Sequence, residues 1–428
     1  MNVLLIGGGG REHAIAWKLR QSPRLTDLHV APGNAGTAEI AHNIDLPIPR
    51  TAASEGEVDT YLDAATKLAR ELGVDLVFVA PDDPLAWGLV DRLEAAGVPA
   101  FGPTKAAAAI ESSKAWSREF MARHGIAQPA SETFDDLGAA RDYVGAARTP
   151  VVVKADGLTA GKGAIVTDTV EEALAALEEL IAKRSLGEAG RRVVIQERLT
   201  GREVSAHAFT DGRTVASMPL SCDHKAVFDG GRGPNTGGMG VYSPPWWADA
   251  AIEEAIRTRI TEAAVAGMAA DGRPFRGVIY PGVMVTDAGP VVIEFNARMG
   301  DPETQALLPR LKSDLLEIVW AVVNGRLDEV AIDWEANASV CVVLASGGYP
   351  GSYRTGLPIT GVDGVDANVQ VFHAGTRRDE DGRLVTSGGR VLSVVATGAT
   401  LAAARAKAYR NVERVRFEGV HYRRDIGV

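Results

Sequence analysis

Cysteine is nearly absent: Cys222 and Cys341 are the only two in 428 residues. Two thiols cannot build a disulfide framework, and neither stands at metal-ligand spacing, so both are expected as buried free thiols. Long hydrophobic runs are missing too. No stretch approaches the ~20 apolar residues that a membrane helix needs, so no membrane partner is expected. The opening Met1-Asn2-Val3-Leu4-Leu5-Ile6 lacks a basic segment and its apolar run stops at Gly7; no targeting signal is read there, and the cytoplasm is the expected location. Positive charge is in deficit, with 45 Lys and Arg against 55 Asp and Glu for a net charge of −10. Gripping a phosphate backbone takes a cationic surplus, so nucleic acid is excluded as a main partner, while basic pockets for small anions are not. Internal repeats and low-complexity tracts are absent as well. What remains is an ordinary globular balance, long enough for three or four domains of ~100–200 residues.

The first third alternates short apolar strands with amphipathic helices. Strands are expected at Val3–Ile6, Leu28–Ala31, Leu76–Val79 and Val98–Phe101, with helices at Glu12–Gln21, Tyr61–Leu72 and Leu89–Ala96. Such alternation predicts a parallel sheet covered by helices, with ligands at the carboxyl ends of its strands. An alanine-rich helix follows from Lys105. Near Pro150 the pattern becomes strand, glycine loop, strand, then a helix from Val170 to Lys183. A glycine-rich loop spans Asn235 to Gly240, and a long helix runs from Ala250 to Ala269. From about Asn337 the chain reads as antiparallel strands ending in a helix at Ala402–Val412.

Gly7-Gly8-Gly9-Gly10-Arg11-Glu12-His13 follows a strand and opens a helix. A dinucleotide fingerprint needs a third glycine where Glu12 or His13 stands, and an acid where Ala31-Pro32 ends the second strand. Neither is present. A phosphate bound by helix-terminal amides suits the loop better, with Arg11 and His13 adding positive charge.

Val151-Val152-Val153-Lys154 is an apolar strand delivering a lysine, and Gly157 to Gly163 is a glycine-rich turn containing Gly161 and Lys162. The spacing is wrong for a P-loop, and Gly163 replaces the needed hydroxyl. A strand–loop–strand flap that closes over phosphates is expected instead. Ser113-Lys114 offers a second cation. Backbone groups of the segment Val193 to Leu199, around Glu197, can meet a base edge, and Glu203 can accept from ribose hydroxyls.

The most informative stretch is Val291-Val292-Ile293-Glu294-Phe295-Asn296-Ala297-Arg298. Alternation puts Glu294, Asn296 and Arg298 on one face, with Ile293 and Phe295 on the packed one. A carboxylate and an amide oxygen two residues apart suit magnesium, which takes one or two protein oxygens plus substrate phosphates. Arg298 would neutralise phosphate or hold a carboxylate in its fork. Gly300 and Asp301 stand in the polar turn beside that face.

Taken in order, strand Lys154, the Gly161-Lys162-Gly163 flap, the Glu197 hinge, Glu203 and Glu294-x-Asn296-x-Arg298 resemble the ATP-grasp superfamily. The whole chain resembles the phosphoribosylamine–glycine ligase (glycinamide ribonucleotide synthetase) family of purine biosynthesis. The motifs that carry this are Gly8-Gly9-Gly10-Arg11-Glu12-His13-Ala14, Ala31-Pro32-Gly33-Asn34-Ala35-Gly36-Thr37, Lys154-Ala155-Asp156-Gly157 and Asp223-His224-Lys225. Gly233-Pro234-Asn235-Thr236-Gly237-Gly238-Met239-Gly240, Arg298-Met299-Gly300-Asp301-Pro302-Glu303-Thr304-Gln305 and Gly347-Gly348-Tyr349-Pro350-Gly351 complete the set.

The resemblance implies an α/β fold of four units: an N-terminal parallel α/β domain (1–103), a central ATP-grasp domain (104–123 and 194–325), a lid (124–193) and a β-rich α+β C-terminal domain (326–428). It implies ligation of glycine to 5-phosphoribosylamine through glycyl phosphate, with ATP as co-substrate. Mg²⁺, replaceable by Mn²⁺, would sit on Glu294 and Asn296. ATP contacts are expected at Lys114, Lys154, Gly161, Lys162, Gly163, Glu197, Leu199 and Glu203. Substrate contacts are expected at Gly9, Gly10, Arg11, Glu12, His13, Asn34, Asp82, Asn235, Thr236, Gly237, Arg298 and Gly300, and Arg298, Lys154 and Asp301 are the catalytic candidates. His224 is as readily structural as catalytic, and a monomer is expected. The chain departs from the family pattern at Ala80-Pro81-Asp82, where Gly-Pro-Glu is usual, at Met299, where Phe or Leu is usual, and at Gln196, where an acid is usual. A sibling ligase or carboxylase, a nicotinamide dehydrogenase and a non-catalytic nucleotide-binding regulator are the alternatives. The failed fingerprint argues against the dehydrogenase, and the intact metal pair and lid lysine against the regulator.

Overall fold

The computed structural model describes residues 1–49, 53–147, 150–159 and 163–428. The N-terminal sheet is five-stranded and parallel, in the order His42–Asn43, Asp27–Pro32, Asn2–Gly7, Leu76–Val79, Ala100–Phe101. Val3, Leu4, Leu5 and Ile6 are all fully buried, as a central strand covered on both faces requires. The order reverses beside Asn2–Gly7, so the crevice of this sheet opens over Gly7 and the loops after Pro32 and Val79.

The alanine-rich helix does not run on as expected. It spans Lys105–Ser112, breaks at Ser113 in extended conformation, and restarts as Lys114–Arg123. The break is held from outside: Asp156 accepts Ala115 N–H at 2.7 Å, and its own carbonyl accepts Lys114 N–H at 3.1 Å. Ser113 also caps the new start, accepting Trp116 N–H at 3.2 Å, while the Asp156 carboxylate, just past strand Val151–Ala155, is the part that local propensity does not show.

Four antiparallel strands, Ser131–Phe134, Val193–Glu197, Val151–Ala155 and Ala164–Val166, make a small sheet. Helices Leu137–Ala146 and Val170–Leu177 share its apolar core. The central sheet is built on the long strand Arg276–Thr286, paired along one edge with Ala208–Asp211 and Arg202–Ser205 and along the other with Gly289–Asn296. The last sheet runs Cys222–Asp223, Gly240–Ser243, Ala338–Ala345, Arg390–Gly398, Val369–His373, with helix Leu401–Val412 against it. Two of its strands thus come from the middle of the chain, which brings Asp223 and the Asn235–Gly240 loop to the junction of sheets. Both cysteines are buried free thiols. Among the described residues no helix is long and apolar enough to cross a membrane.

Candidate active site

A cleft of about 580 Å³ is lined by residues of the lid, central and C-terminal sheets, with Arg11 and Asp82 reaching it from helices of the N-terminal domain. Strand Val151–Ala155 is completely buried and carries Lys154 into it. The Lys154 ammonium donates to the Ile293 carbonyl at 2.9 Å. Burial lowers its pKa to about 8, against the pull of Glu294. Lys114, first residue of the restarted helix, donates to the Gly157 carbonyl at 3.2 Å.

The carbonyl of Ile293 is available because the strand bulges there: Gly282 pairs with Glu294 but Val283 pairs with Val292, leaving Ile293 unmatched. The expected burial of Ile293 is therefore wrong. It is half-buried and lines the cleft, whereas Phe295 is buried as expected. Bulges beside functional sites re-aim side chains in this way. Glu294 and Asn296 both reach the cleft. Burial opposes the Glu294 charge, but Lys225, Lys154 and Lys114 outweigh it and hold the carboxylate at about 2. Asn296 Oδ1 accepts from Arg298 at 3.3 Å.

Lys225 and Asp223 are two residues apart on the Asp223-His224-Lys225 stretch and both line the cleft. Lys225 forms a close ion pair with Glu203. Burial works against the Lys225 charge, yet Glu203, Asp223 and Glu294 keep it protonated well above the ordinary lysine range. Burial pushes the Asp223 carboxyl well up, opposed by Lys225 and aided by Glu303, Glu203 and Glu294. Glu303 accepts from Tyr280 OH at 2.7 Å. Arg298 pairs with Glu111 at 2.8 Å and lies 3.9 Å from Asp82. The shorter acid at position 82 thus still faces the guanidinium.

A second cavity of about 350 Å³ adjoins the first, sharing Asp301 and Arg390 with it. Its walls are Gly8, Gly9, Gly33, Asn34, Ala374, Gly375, Thr376 and Ser387, the seam between the N-terminal and C-terminal sheets. Arg390 donates to the carbonyls of Gly237 at 2.6 Å and Asp301 at 2.7 Å, and pairs with the Asp301 carboxylate at 3.2 Å.

Several expected contacts are placed otherwise. His13 adds no charge: its Nδ1 accepts the His373 N–H at 2.8 Å, and burial together with His373 pushes its pKa to about 3. Glu12 is a capping residue, accepting Gly9 N–H at 2.6 Å while pairing with Arg11 at 2.6 Å. Arg11 lines the main cleft rather than the glycine-loop cavity. The Asn34 amide is occupied by the carbonyls of Gly8 at 2.9 Å and His373 at 2.8 Å, and its oxygen by Gly36 and Thr37 N–H groups. It shapes the loop. Gly10 packs where a Cβ would meet Gln305 at 2.6 Å, and Gly300 gives its N–H to His207 at 3.2 Å. Neither lines either cavity. Glu197 is exposed and its N–H goes to the Ala130 carbonyl at 2.8 Å; the cleft-lining hinge residues are Gln196, Arg198 and Leu199. His224 also lies off both cavities and is held near 4 by burial and Arg423, the structural alternative. Gly163, Asn235, Thr236 and Gly237 line the cleft, while Gly161 and Lys162 lie outside the described residues. Of the other cleft residues, Glu111 carries no sequence expectation, Asp223, Lys225 and Glu303 stand only inside the family motifs without a role, and Gly388-Gly389-Arg390 reads equally as a turn or a phosphate contact. The one available signal was charge inside otherwise apolar or glycine-rich motifs.

A lysine-bearing antiparallel lid set across a nucleotide-sized cleft from a carboxylate–amide strand defines an ATP-grasp enzyme. The phosphoribosylglycinamide synthetase N domain matches residues 1–111, the ATP-grasp (A) domain 112–304 and the C domain 339–428. The chain belongs to the phosphoribosylglycinamide synthetase family. A phosphoribosylamine–glycine ligase of Allochromatium vinosum is 46% identical over 100% of this chain and 98% of its own length. That of Halalkalibacterium halodurans is 46% identical over 100% and 96%. The solved phosphoribosylamine–glycine ligase of Thermotoga maritima superposes with a TM-score of 0.84 at 33% identity, covering 100% of both chains. A biotin carboxylase from Campylobacter jejuni shares the fold alone, with a TM-score of 0.74 at 14% identity over 98% of this chain and 93% of its own.

Proposed function

We infer that the two joined cavities are where this chain, an ATP-dependent ligase of purine biosynthesis, couples glycine to 5-phosphoribosylamine. The observation that carries this reading is the continuity of a cation-and-carboxylate cleft with a glycine-walled cavity through Asp301 and Arg390. A nucleotide triphosphate fits the first, and a ribose phosphate fits the second, where Arg390 supplies positive charge and Thr376 and Ser387 supply hydroxyls.

A glycine carboxylate oxygen attacks the γ-phosphorus of ATP, giving glycyl phosphate and ADP. The amine nitrogen of 5-phosphoribosylamine then attacks the acyl carbon, phosphate leaves with the C–O bond pair, and the nitrogen loses a proton to solvent. Catalysis of both steps is positioning and charge compensation. Lys114, Lys154 and Lys225 offset phosphate charge, Glu203 takes the ribose hydroxyls, and Arg298 holds the acyl end. The flap reaching Gly163 and the hinge at Leu199 exclude water from the acyl phosphate.

Hard oxygen donors with one ionised carboxylate fit Mg²⁺, or Mn²⁺ in its place, and Glu294 and Asn296 would hold it. Among the described residues no group of three or more His, Cys, Asp or Glu side chains is placed to hold a metal ion. When bound, Mg²⁺ neutralises charge on the phosphates. In this reading residues 1–103, 104–123 with 194–325, 124–193 and 326–428 act as four units of a cytoplasmic monomer.

The test is ADP release with glycine and Mg²⁺, with and without freshly generated 5-phosphoribosylamine. Release that needs both substrates and vanishes in Glu294→Ala is the expected result. Release independent of glycine, or unchanged by the substitution, would sink the assignment.

A further inference from the structure

Glu111 is an improbable residue where it stands. Half of helix Lys105–Ser112 is alanine, and Ala107, Ala108 and Ile110 are buried around Glu111. Glu111 itself is 9% exposed. Burial raises its carboxyl to about 7 against the pull of Arg298, and Asp82 adds to the rise. A helix that needed only to pack would place an apolar side chain there, because an ionised buried carboxylate is costly unless paired.

Its two oxygens do different things to one short segment. Oε1 pairs with Arg298 Nη2 at 2.8 Å, and Oε2 accepts the Ala297 N–H at 2.7 Å. Strand exit and side-chain direction are therefore fixed by the same carboxylate. The other contacts of Arg298 are longer: Met299 carbonyl at 3.3 Å, Asn296 Oδ1 at 3.3 Å and Asp82 at 3.9 Å. Arg298 Nε is buried and has no partner among the described residues. A guanidinium that lines the cleft, is held firmly by one end and keeps N–H donors unmatched is set to meet an anion rather than to close a structural pair.

We propose that Glu111 is a positioning residue for the ligation: it fixes the Arg298 guanidinium so that its free donor meets the carboxyl, and then acyl, end of glycine. The proposal rests on the reading of Arg298 as the acyl-end residue. Glu111 touches no substrate. It acts from helix Lys105–Ser112 upon the segment that leaves strand Gly289–Asn296.

The experiment measures kcat and KM for ATP, glycine and 5-phosphoribosylamine in Glu111→Gln, Arg298→Lys and the double variant, with thermal melting of each. Glutamine keeps an acceptor for the Ala297 N–H and removes the ion pair. The expected result is a ~100-fold loss in kcat/KM for glycine with the KM for ATP unchanged within about twofold, since small misplacements near the reacting atoms cost that much. The double variant should lose no more than Arg298→Lys alone, as residues acting through one group are non-additive. Wild-type glycine kinetics in Glu111→Gln, equal losses for ATP and glycine, or full additivity would overturn the proposal. Intact glycine kinetics in Arg298→Lys instead remove the reading of Arg298 beneath it, a distinct failure. Should the glutamine variant not fold, Glu111→Asp keeps the charge and withdraws it by one methylene. A glycine-selective loss is expected there as well, and an unselective loss or none overturns the proposal.

Discussion

The main cleft and the seam cavity meet at Asp301 and Arg390 yet are built on opposite plans. In the cleft, charges are buried and compensate one another: Lys225 against Glu203, Glu294 against three lysines, Arg298 against Glu111. In the seam, side chains are spent on shaping the loops. Asn34 is saturated, and His13 and His373 are held neutral, each well below the ordinary histidine value by burial. What the seam offers a ligand is the braced Arg390–Asp301 pair and the hydroxyls of Thr376 and Ser387, because backbone N–H groups such as those of Gly9, Asn34 and Gly375 are already taken. In the proposed reading the contrast separates two ways of holding phosphate: several desolvated ammonium groups where charge moves during reaction, and one fixed arginine where a phosphate only needs an address.

That contrast can be broken most forcefully in the cleft. Lys225→Met should leave Glu203 unpaired and Glu294 with two of its three lysines, lowering kcat/KM for ATP by ~10³-fold and stability by about 1–2 kcal/mol. Steady-state ADP release and denaturant unfolding check both, and a variant within tenfold of wild type would contradict the shared-cation account. Arg390→Lys keeps charge and loses the fork across Gly237 and Asp301. It should raise the KM for 5-phosphoribosylamine ~10–100-fold while moving the KM for ATP by less than about threefold. Equal shifts in both constants would show that the two cavities are not chemically separate.

Acid should find the buried histidines. His13 and His207 are pushed to about 3 and His224 and His373 to about 4, all by burial first, against the ordinary 6.5 of an unfolded chain. The unfolded state therefore binds more protons below pH 6.5, and stability falls as pH drops, by about 1.4 kcal/mol per unit for each such histidine. Calorimetry from pH 7 to 5 should show a falling melting midpoint, and a flat profile would mean these rings are not neutral and buried. Asp82→Glu is the gentlest probe. Lengthening the acid closes the 3.9 Å gap to Arg298, and a change in glycine KM below about fivefold is expected, the scale of a partly exposed pair.

Much of this was legible before any coordinates. The parallel sheet follows from buried apolar runs such as Leu76–Val79, and Lys154 announces itself by following three valines. Glu294 and Asn296 reach the cleft because side-chain alternation survives on their side of the bulge. The bulge itself was not legible, since it depends on the register with Gly282 and Val283. His13 carries no charge because burial, and His373 arriving from the far end of the chain, hold it neutral. Glu111 was hidden for the same reason: a charged residue in an alanine-rich helix reads as solvated until its partner arrives from Arg298. Local periodicity predicts elements; long-range hydrogen bonds decide what the side chains on them are.

Arg390 also sets an order in time. The lysines and carboxylates of the main cleft all precede it in the chain, so a growing polypeptide can assemble that cleft while the brace across Gly237 and Asp301 does not yet exist. Strand Arg390–Gly398 then enters between Ala338–Ala345 and Val369–His373 as an interior member of its sheet. The wall of the second cavity is thus among the last parts of the molecule to be born, and a chain interrupted before it would have a nucleotide cleft opening onto an unfinished room.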